Sequence, residues 1–482
     1  MPIPRPLLDP ADTISEPADV DYNALLEPLL AQRLKSPIIR PSTAEKVRAL
    51  IDTRFPEGGD SLEQLAEQIT VATERYPRRN THPGFFGWVA PSGLPSDALA
   101  NAMVSVLNEN VGGYWASPVG TTIERTVIGW LAEITGFPES AEGVLLSGGS
   151  MANMTAIAAA LSRRYGTDYR QRGLTTFSEA DSPRIICSRE THFSIRRAVA
   201  MLGLGVDNII VIDTDDQFRM RADQLAEALE QQDEVVCVIA TAGTTNTGAI
   251  DPLDEIADLC AKHGIWLHVD AAYGGGGLMS KKLRPRYRGI ERADSVTMDL
   301  HKWFFQALDG SLLLYRDADS ARNLFSDSTD YLVQGQDRTP EQYAFFQIAP
   351  ELSRRFRALP FYIALRCYGI ERLGRLAWHN AECAAYLASL AQDHADTELV
   401  TAPQLSILCF RYAPAGLPED TIDDLNRQIR DQIQAEGEYL ISPTQVRGRP
   451  VLRLCIINHQ TRAEHVEGLF DSVLRIGNSL RE

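Results

Sequence analysis

The chain has 482 residues, 44% of them hydrophobic and 23% charged, a composition suited to a globular protein of two or three domains. Its formal net charge of −17 argues against non-specific affinity for nucleic acid or an anionic membrane. No apolar run reaches the roughly 18 residues of a membrane span, and the opening MPIPRPLLDPADTISEP lacks the charged and apolar regions of a secretory signal. Seven dispersed cysteines with no CxxC pair read as reduced thiols of a cytoplasmic protein. The nine histidines show no HExxH-like spacing, so no metal is expected.

Residues 1–85 are rich in proline and charge, and in DYNALLEPLLAQRL and SLEQLAEQITVATERY apolar residues recur every three or four positions, predicting amphipathic helices. Too short to bury much alone, this segment is expected to pack on another surface, such as a partner subunit. NTHPGFFGWVAPSG then reads as an extended connection. From about residue 95 to 315, the strand-like runs GVLLSG, RIICS, NIIVID, VVCVIAT, IWLHVD, DSVTMD and SLLLYR alternate with helical ones such as MANMTAIAAALSRRY and LDEIADLCAKHG. That alternation predicts an α/β fold, a mostly parallel sheet covered on both faces. A long helix over ERLGRLAWHNAECAAYLASLAQ follows, then LSILCFRY, VLRLCII and HVEGLFDSVLRIGNSL, which predict a small α+β domain. The expected organisation is a helical segment over 1–85, a large domain over 86–375 and a small one over 376–482.

Chemistry collects at the ends of the predicted strands. In VLLSGGSMANMTAIAAAL, Gly148, Gly149 and Ser150 join a strand to a helix, where free backbone amides make an anion site; Ser150 as a plain helix cap fits equally well. The pattern is neither the Walker motif nor GxGxxG, so no nucleotide is specified. In IWLHVDAAYGG, Asp270 ends a strand, where open α/β sheets bind ligands, although a cap or a loop ion pair would also place it there. His192 in RETHFSIRRA stands at a similar junction, where a satisfied structural histidine is the commoner case. Thr245 in ATAGTTNTGAIDP follows another strand within reach of a ligand, and Gly274–Gly277 fit any tight turn.

Lys302 is the odd residue. In DSVTMDLHKWFFQ it stands between a buried strand and three aromatics, Trp303, Phe304 and Phe305, where a lone ammonium is costly. A lysine in a low-dielectric site is expected to have a depressed pKa and to attack aldehydes. An aldehyde that also carries a phosphate and a ring nitrogen in need of a carboxylate is pyridoxal phosphate, and Lys302 held as an imine would account for its place. A lysine snorkelling past aromatics would leave the other features unexplained.

The chain resembles the group II pyridoxal-phosphate-dependent decarboxylases, the aromatic-L-amino-acid and glutamate decarboxylase family, over most of its length. The motifs that carry the resemblance, in order and spacing, are SPVGTTIERTVIGWL, SGGSMAN, THFS, AGTTNTGAIDP, WLHVDAAYGG, DSVTMDLHKW and LSRRFRALPFYIALRCYG. The resemblance implies fold type I, the aspartate-aminotransferase-like fold, and a homodimer with shared active sites whose N-terminal helices clasp the partner. It implies that Lys302 attaches the cofactor, that Asp270 pairs with its ring nitrogen, that His192 stacks on one ring face and Ala272 on the other. Gly149, Ser150 and His301 match phosphate contacts, and Thr245 a cofactor-side threonine. Asp299 stands where relatives often carry Asn, and as a carboxylate it is not expected to bind the phosphate directly. Tyr331 in STDYLVQ matches a tyrosine that protonates the substrate carbon after CO2 leaves.

For the substrate, Trp88 in FFGWVAPSG is expected to stack on an aromatic side chain. Asn110, with Gly112 and Gly113 in NENVGGYWASP, makes the partner-subunit side of the pocket smaller and more polar. The expected activity is decarboxylation of an L-amino acid, an aromatic one placed ahead of a small aliphatic or polar one. The rivals are an aldehyde-forming oxidative deaminase, an atypical lyase on the same scaffold and a non-catalytic homologue; the last should have lost Lys302 or Asp270, and both are present.

Overall fold

The structure is a computed structural model that describes residues 21–90, 92–177, 182–326 and 343–481. Seven strands form the large sheet: β1 (Glu142–Leu146), β2 (Arg184–Ser188), β3 (Ile209–Ile212), β4 (Val235–Thr241), β5 (Trp266–Asp270), β6 (Ser295–Asp299) and β7 (Ser311–Tyr315). Their order is β1-β7-β6-β5-β4-β2-β3. All neighbours run parallel except β7, which is antiparallel to both β1 and β6. Every residue of β4, β5, β6 and β7 is buried, as continuous apolar runs require when helices cover both faces. The fold is type I, with the predicted strands in the predicted places.

A second sheet of β8 (Thr397–Thr401), β9 (Ile407–Tyr412), β10 (Ser442–Val446) and β11 (Arg449–Cys455) is antiparallel in the order β10-β11-β9-β8. The amphipathic helices Ile370–Asp393, Glu419–Glu436 and Ala463–Arg481 supply its core.

The N-terminal helices form where the periodicity put them. Asp21 caps Tyr22–Gln32, and Ser61 with Gln64 makes a capping box on Leu62–Arg75. The extended connection is fastened to the small sheet: Phe86 donates to the Leu440 carbonyl at 2.8 Å and accepts from the Cys455 amide at 3.0 Å. Its ring is fully buried in the small-domain core. Among the described residues no helix is long and apolar enough to cross a membrane.

Candidate active site

The site lies at the carboxyl ends of the central parallel strands, where the chain leaves the sheet and side chains can converge on one space. A cleft of about 630 Å³ is lined there by Gly149 and Ser150 at a helix start, by His192, Thr245, Asp270 and Ala272, and by His301 and Lys302. Eight separated residues singled out in the sequence are thus brought together. Tyr331 lies outside the described residues.

Lys302 sits in the turn joining β6 to β7. Its amide bonds the Asp299 carbonyl at 3.1 Å, the Phe305 amide bonds its own carbonyl at 3.1 Å, and Trp303, Phe304 and Phe305 are fully buried beneath it. The glycine run after β5 lets this turn pack closely: a Cβ on Gly276 would lie 2.6 Å from Trp303, and one on Gly274 would lie 1.9 Å from the Ala242 carbonyl oxygen.

The Lys302 pKa is raised, contrary to the expectation of a depressed one. Burial does work to pull the ammonium down, but the Asp299 carboxylate at 2.8 Å, with Asp270 adding to it, outweighs burial and leaves Lys302 raised above its ordinary value. Burial likewise works to raise Asp299, and Lys302 and His301 overcome it and hold Asp299 low. Asp299 is therefore the counter-ion of the lysine, a role the sequence did not reveal. His301 accepts from the Gly310 amide at 3.2 Å through Nδ1, which leaves its Nε2 toward Asp299 at 3.6 Å.

Asp270 is oriented from two sides, by the Ala272 amide at 3.0 Å on one oxygen and by Asn153 Nδ2 at 2.9 Å on the other. Asn153 also donates to Ser194 Oγ at 3.1 Å, and its oxygen lies 3.0 Å from His268 Nε2. Burial depresses the pKa of His192, an effect that Asp270 opposes and Lys302 reinforces. Asn153, Ser194 and His268 were all overlooked in the sequence. Two signals were available: His268 shares a strand face with Asp270 two residues on, and Asn153 lies near the start of the SGGSMAN helix.

Trp88, expected to stack on the substrate, does not line the cleft of its own chain. The Arg78 guanidinium covers its ring at 3.9 Å from the centroid, and Arg453 bonds its carbonyl. Arg453 also holds the Thr245 and Asn246 carbonyls, tying the small sheet to the loop that carries Thr245. Asn110 is also off this cleft; its side-chain oxygen accepts from the Arg354 amide at 2.8 Å.

The cleft has polar capacity left over. Asp299 Oδ1 and Thr241 Oγ1 are buried with no hydrogen-bond partner among the described residues. Gly149 needs its missing side chain, since a Cβ there would lie 2.9 Å from Asp299 Oδ1 and 3.3 Å from the Ala272 methyl. An amine, a buried carboxylate and the unpaired amides of a helix start, gathered in one cleft, fit the aldehyde, ring nitrogen and phosphate of pyridoxal phosphate.

This sheet, with that set of groups at its strand ends, defines a fold type I pyridoxal phosphate enzyme. The pyridoxal-dependent decarboxylase conserved domain matches residues 44–413, and the chain belongs to that family, whose members are carboxy-lyases. It is similar to the aromatic-L-amino-acid decarboxylase of Bacillus atrophaeus, 32% identical over 439 residues covering 90% of this chain and 89% of the relative. It is also similar to the L-2,4-diaminobutyrate decarboxylase of Rhizobium meliloti (strain 1021), 33% identical over 501 residues covering 99% and 96%. Among solved structures, mouse CSAD matches with a TM-score of 0.86 at 27% identity, over 94% of this chain and 98% of that one.

Proposed function

We propose that the protein decarboxylates an aromatic L-amino acid to the amine and CO2, as a homodimer with shared active sites. The observation that carries the reading is the meeting of Lys302, Asp270 and His192 with the Gly149–Ser150 helix start around one cleft. Pyridoxal phosphate, when bound, would supply the electron sink that decarboxylation needs. Lys302 Nζ would hold the cofactor's aldehyde carbon. Asp270 would keep a proton on the ring nitrogen through a charge-assisted hydrogen bond. The amides of Gly149 and Ser150, with His301, would hold the phosphate, and Thr245 would contact the cofactor from its loop. Ala272 and His192, which both line the cleft, would pack on the two faces of the ring and hold it in place. Tyr331 delivers a proton to Cα.

The aromatic preference is supported by the apolar part of the cleft, where Met151, Met154, Met201 and Leu308 offer soft, polarisable surface. The dimer is supported by apolar residues left in solvent. On the helix Ser96–Leu107 and just beyond it, Val106 is 85% exposed and Trp115 54%, and on the N-terminal helix Leu26 and Leu30 are exposed as well. In such a dimer Asn110 and Tyr331 would contribute to the partner's site.

The test is product analysis of the loaded enzyme against the full set of L-amino acids, with oxygen uptake followed in parallel. The expected result is an arylalkylamine without oxygen consumption, changing in Tyr331→Phe to less amine with aldehyde and peroxide. A diamine from diaminobutyrate as the preferred product would overturn the side-chain assignment, and aldehyde from the unaltered enzyme would overturn simple decarboxylation.

A further inference from the structure

We infer that Asn153 and Ser194 are positioning residues that set the tautomer of His192, and that Asp270 dictates the setting through them. Asn153, Ser194, His268 and Ser295 are all buried, so the direction of each hydrogen bond follows from what its partners can donate or accept. A carboxylate only accepts, so Asn153 must turn its NH2 toward Asp270 Oδ2, 2.9 Å away. The second hydrogen of that NH2 goes to Ser194 Oγ at 3.1 Å. Ser194 then directs its own hydrogen to its remaining neighbour, His192 Nδ1, at 2.9 Å. The Ser194 amide is aimed at the same nitrogen at 3.3 Å. With two donors directed at it, Nδ1 is an acceptor, and the ring's hydrogen sits on Nε2, which has no hydrogen-bond partner among the described residues.

The other side of Asn153 agrees. Its oxygen faces His268 Nε2 at 3.0 Å, so that nitrogen donates and His268 Nδ1 accepts from Ser295 Oγ at 2.8 Å. Ser295 in turn accepts from Trp266 Nε1, a group that only donates, at 2.9 Å. Along Trp266, Ser295, His268, Asn153, Ser194 and His192 the directions agree with one another, and Thr297 Oγ1, 3.4 Å from His268 Nε2, is a second and longer neighbour of that donor. Moving the His192 proton to Nδ1 would make Ser194 Oγ accept twice and leave its hydrogen with no acceptor. Of the charged groups acting on His192, Asp270 and Asp299 raise its pKa, while burial, helped by Lys302 and Arg197, lowers it and prevails, in keeping with a neutral ring.

The inference rests on the proposed function only in placing His192 beside the reacting atoms; the tautomer itself is readable without cofactor or substrate. The experiment is long-range proton–nitrogen NMR on the cofactor-free full chain labelled with 15N-histidine, the His192 signals being those lost in His192→Gln. The expected wild-type pattern is a neutral ring protonated on Nε2. In Asn153→Ala, Ser194 Oγ is free to accept from Nδ1, and in Ser194→Ala the stronger donor to Nδ1 is gone. Both variants should show a measurable fraction of the Nδ1–H form or a raised His192 pKa, while Ser194→Thr restores the wild-type pattern. A wild-type ring protonated on Nδ1, or a Ser194→Ala pattern unchanged from wild type, overturns the inference. The signals of the other histidines report whether a variant is folded, and if Asn153→Ala is not, the Ser194 pair decides. Failure to decarboxylate any amino acid would instead overturn the proposed function and leave the tautomer result standing.

Discussion

Two of the buried ion pairs among the described residues differ in construction. Arg354 meets Glu124 with both side chains fully shielded, and its guanidinium also bonds the Val111 carbonyl and the Leu145 carbonyl at 2.7 Å. Glu124 accepts in addition from the Leu145 amide at 2.9 Å, and the Phe345 ring covers the guanidinium at 4.4 Å. This pair fastens the helix Pro118–Thr135, strand β1 and the loop at Val111 to one another. Lys302 meets Asp299 at a single 2.8 Å contact, and 20% of the lysine side chain remains open to the cleft. A guanidinium cannot be deprotonated and spreads fixed donors over several partners, whereas an ammonium is a point charge on a flexible stem. The first construction suits permanent architecture; the second suits a group that must be released from its counter-ion to react.

The comparison is broken most directly at Lys302. Lys302→Ala should abolish decarboxylation and leave no pyridoxyl label after borohydride reduction. It should move the unfolding temperature of the cofactor-free protein by only about 3 °C. Loss of the fold in that variant would make the lysine pair architectural as well. Glu124→Ala should do the reverse, stranding a buried guanidinium at a cost of about 3–5 kcal/mol in unfolding free energy. A denaturant midpoint unchanged from wild type would remove Glu124 from the architecture.

A smaller effect tests the neutral network beside the lysine. Burial holds His268 at about 4 in the folded chain, against 6.5 when unfolded. Its folded pKa is depressed, so the stabilisation is present above 6.5 and is lost as pH falls toward 4, by at most about 3 kcal/mol. Asp97 and Asp251, raised to about 6 chiefly by burial, act with the opposite sign in the same window. Only the difference from His268→Gln isolates the histidine: that variant should lose less stability between pH 7 and 4, as read by denaturant titration. Equal losses would mean that His268 takes no part.

The smallest change sharpens the lysine pair itself. Asp299→Asn keeps the shape and removes the counter-charge, so the Lys302 pKa should fall. In the cofactor-free protein, acylation of Lys302, located by peptide mapping, should then set in at lower pH than in wild type. An unchanged onset would show that Asp299 does not hold the proton on Lys302.

Local pattern made much of this protein legible. Apolar runs bounded by turn residues mark the strands of the large sheet, and the amphipathic stretches of residues 21–75 mark its first helices. Lys302 between a buried strand and three aromatics, and Asp270 at a strand end, announce chemistry because the cost of burying their charge is local. Which partner settles each charge is a different matter. Asp270 meets Asn153 across 117 positions of chain, and Arg354 meets Glu124 across 230. Asp299 stands only three residues from Lys302, yet their contact depends on how the β6–β7 turn folds back. Trp88 reads as a substrate platform until Arg78 is found stacked on it, and Phe86 reads as part of a connection until the small-domain core closes around it. The sequence by itself determined the elements and the candidates for the reactive groups, because periodicity and side-chain chemistry are carried residue by residue. Only the tertiary structure decided the protonation of Lys302, the direction of the hydrogen-bond chain to His192 and the membership of the cleft, because these depend on groups that strand order and packing bring within a few ångströms.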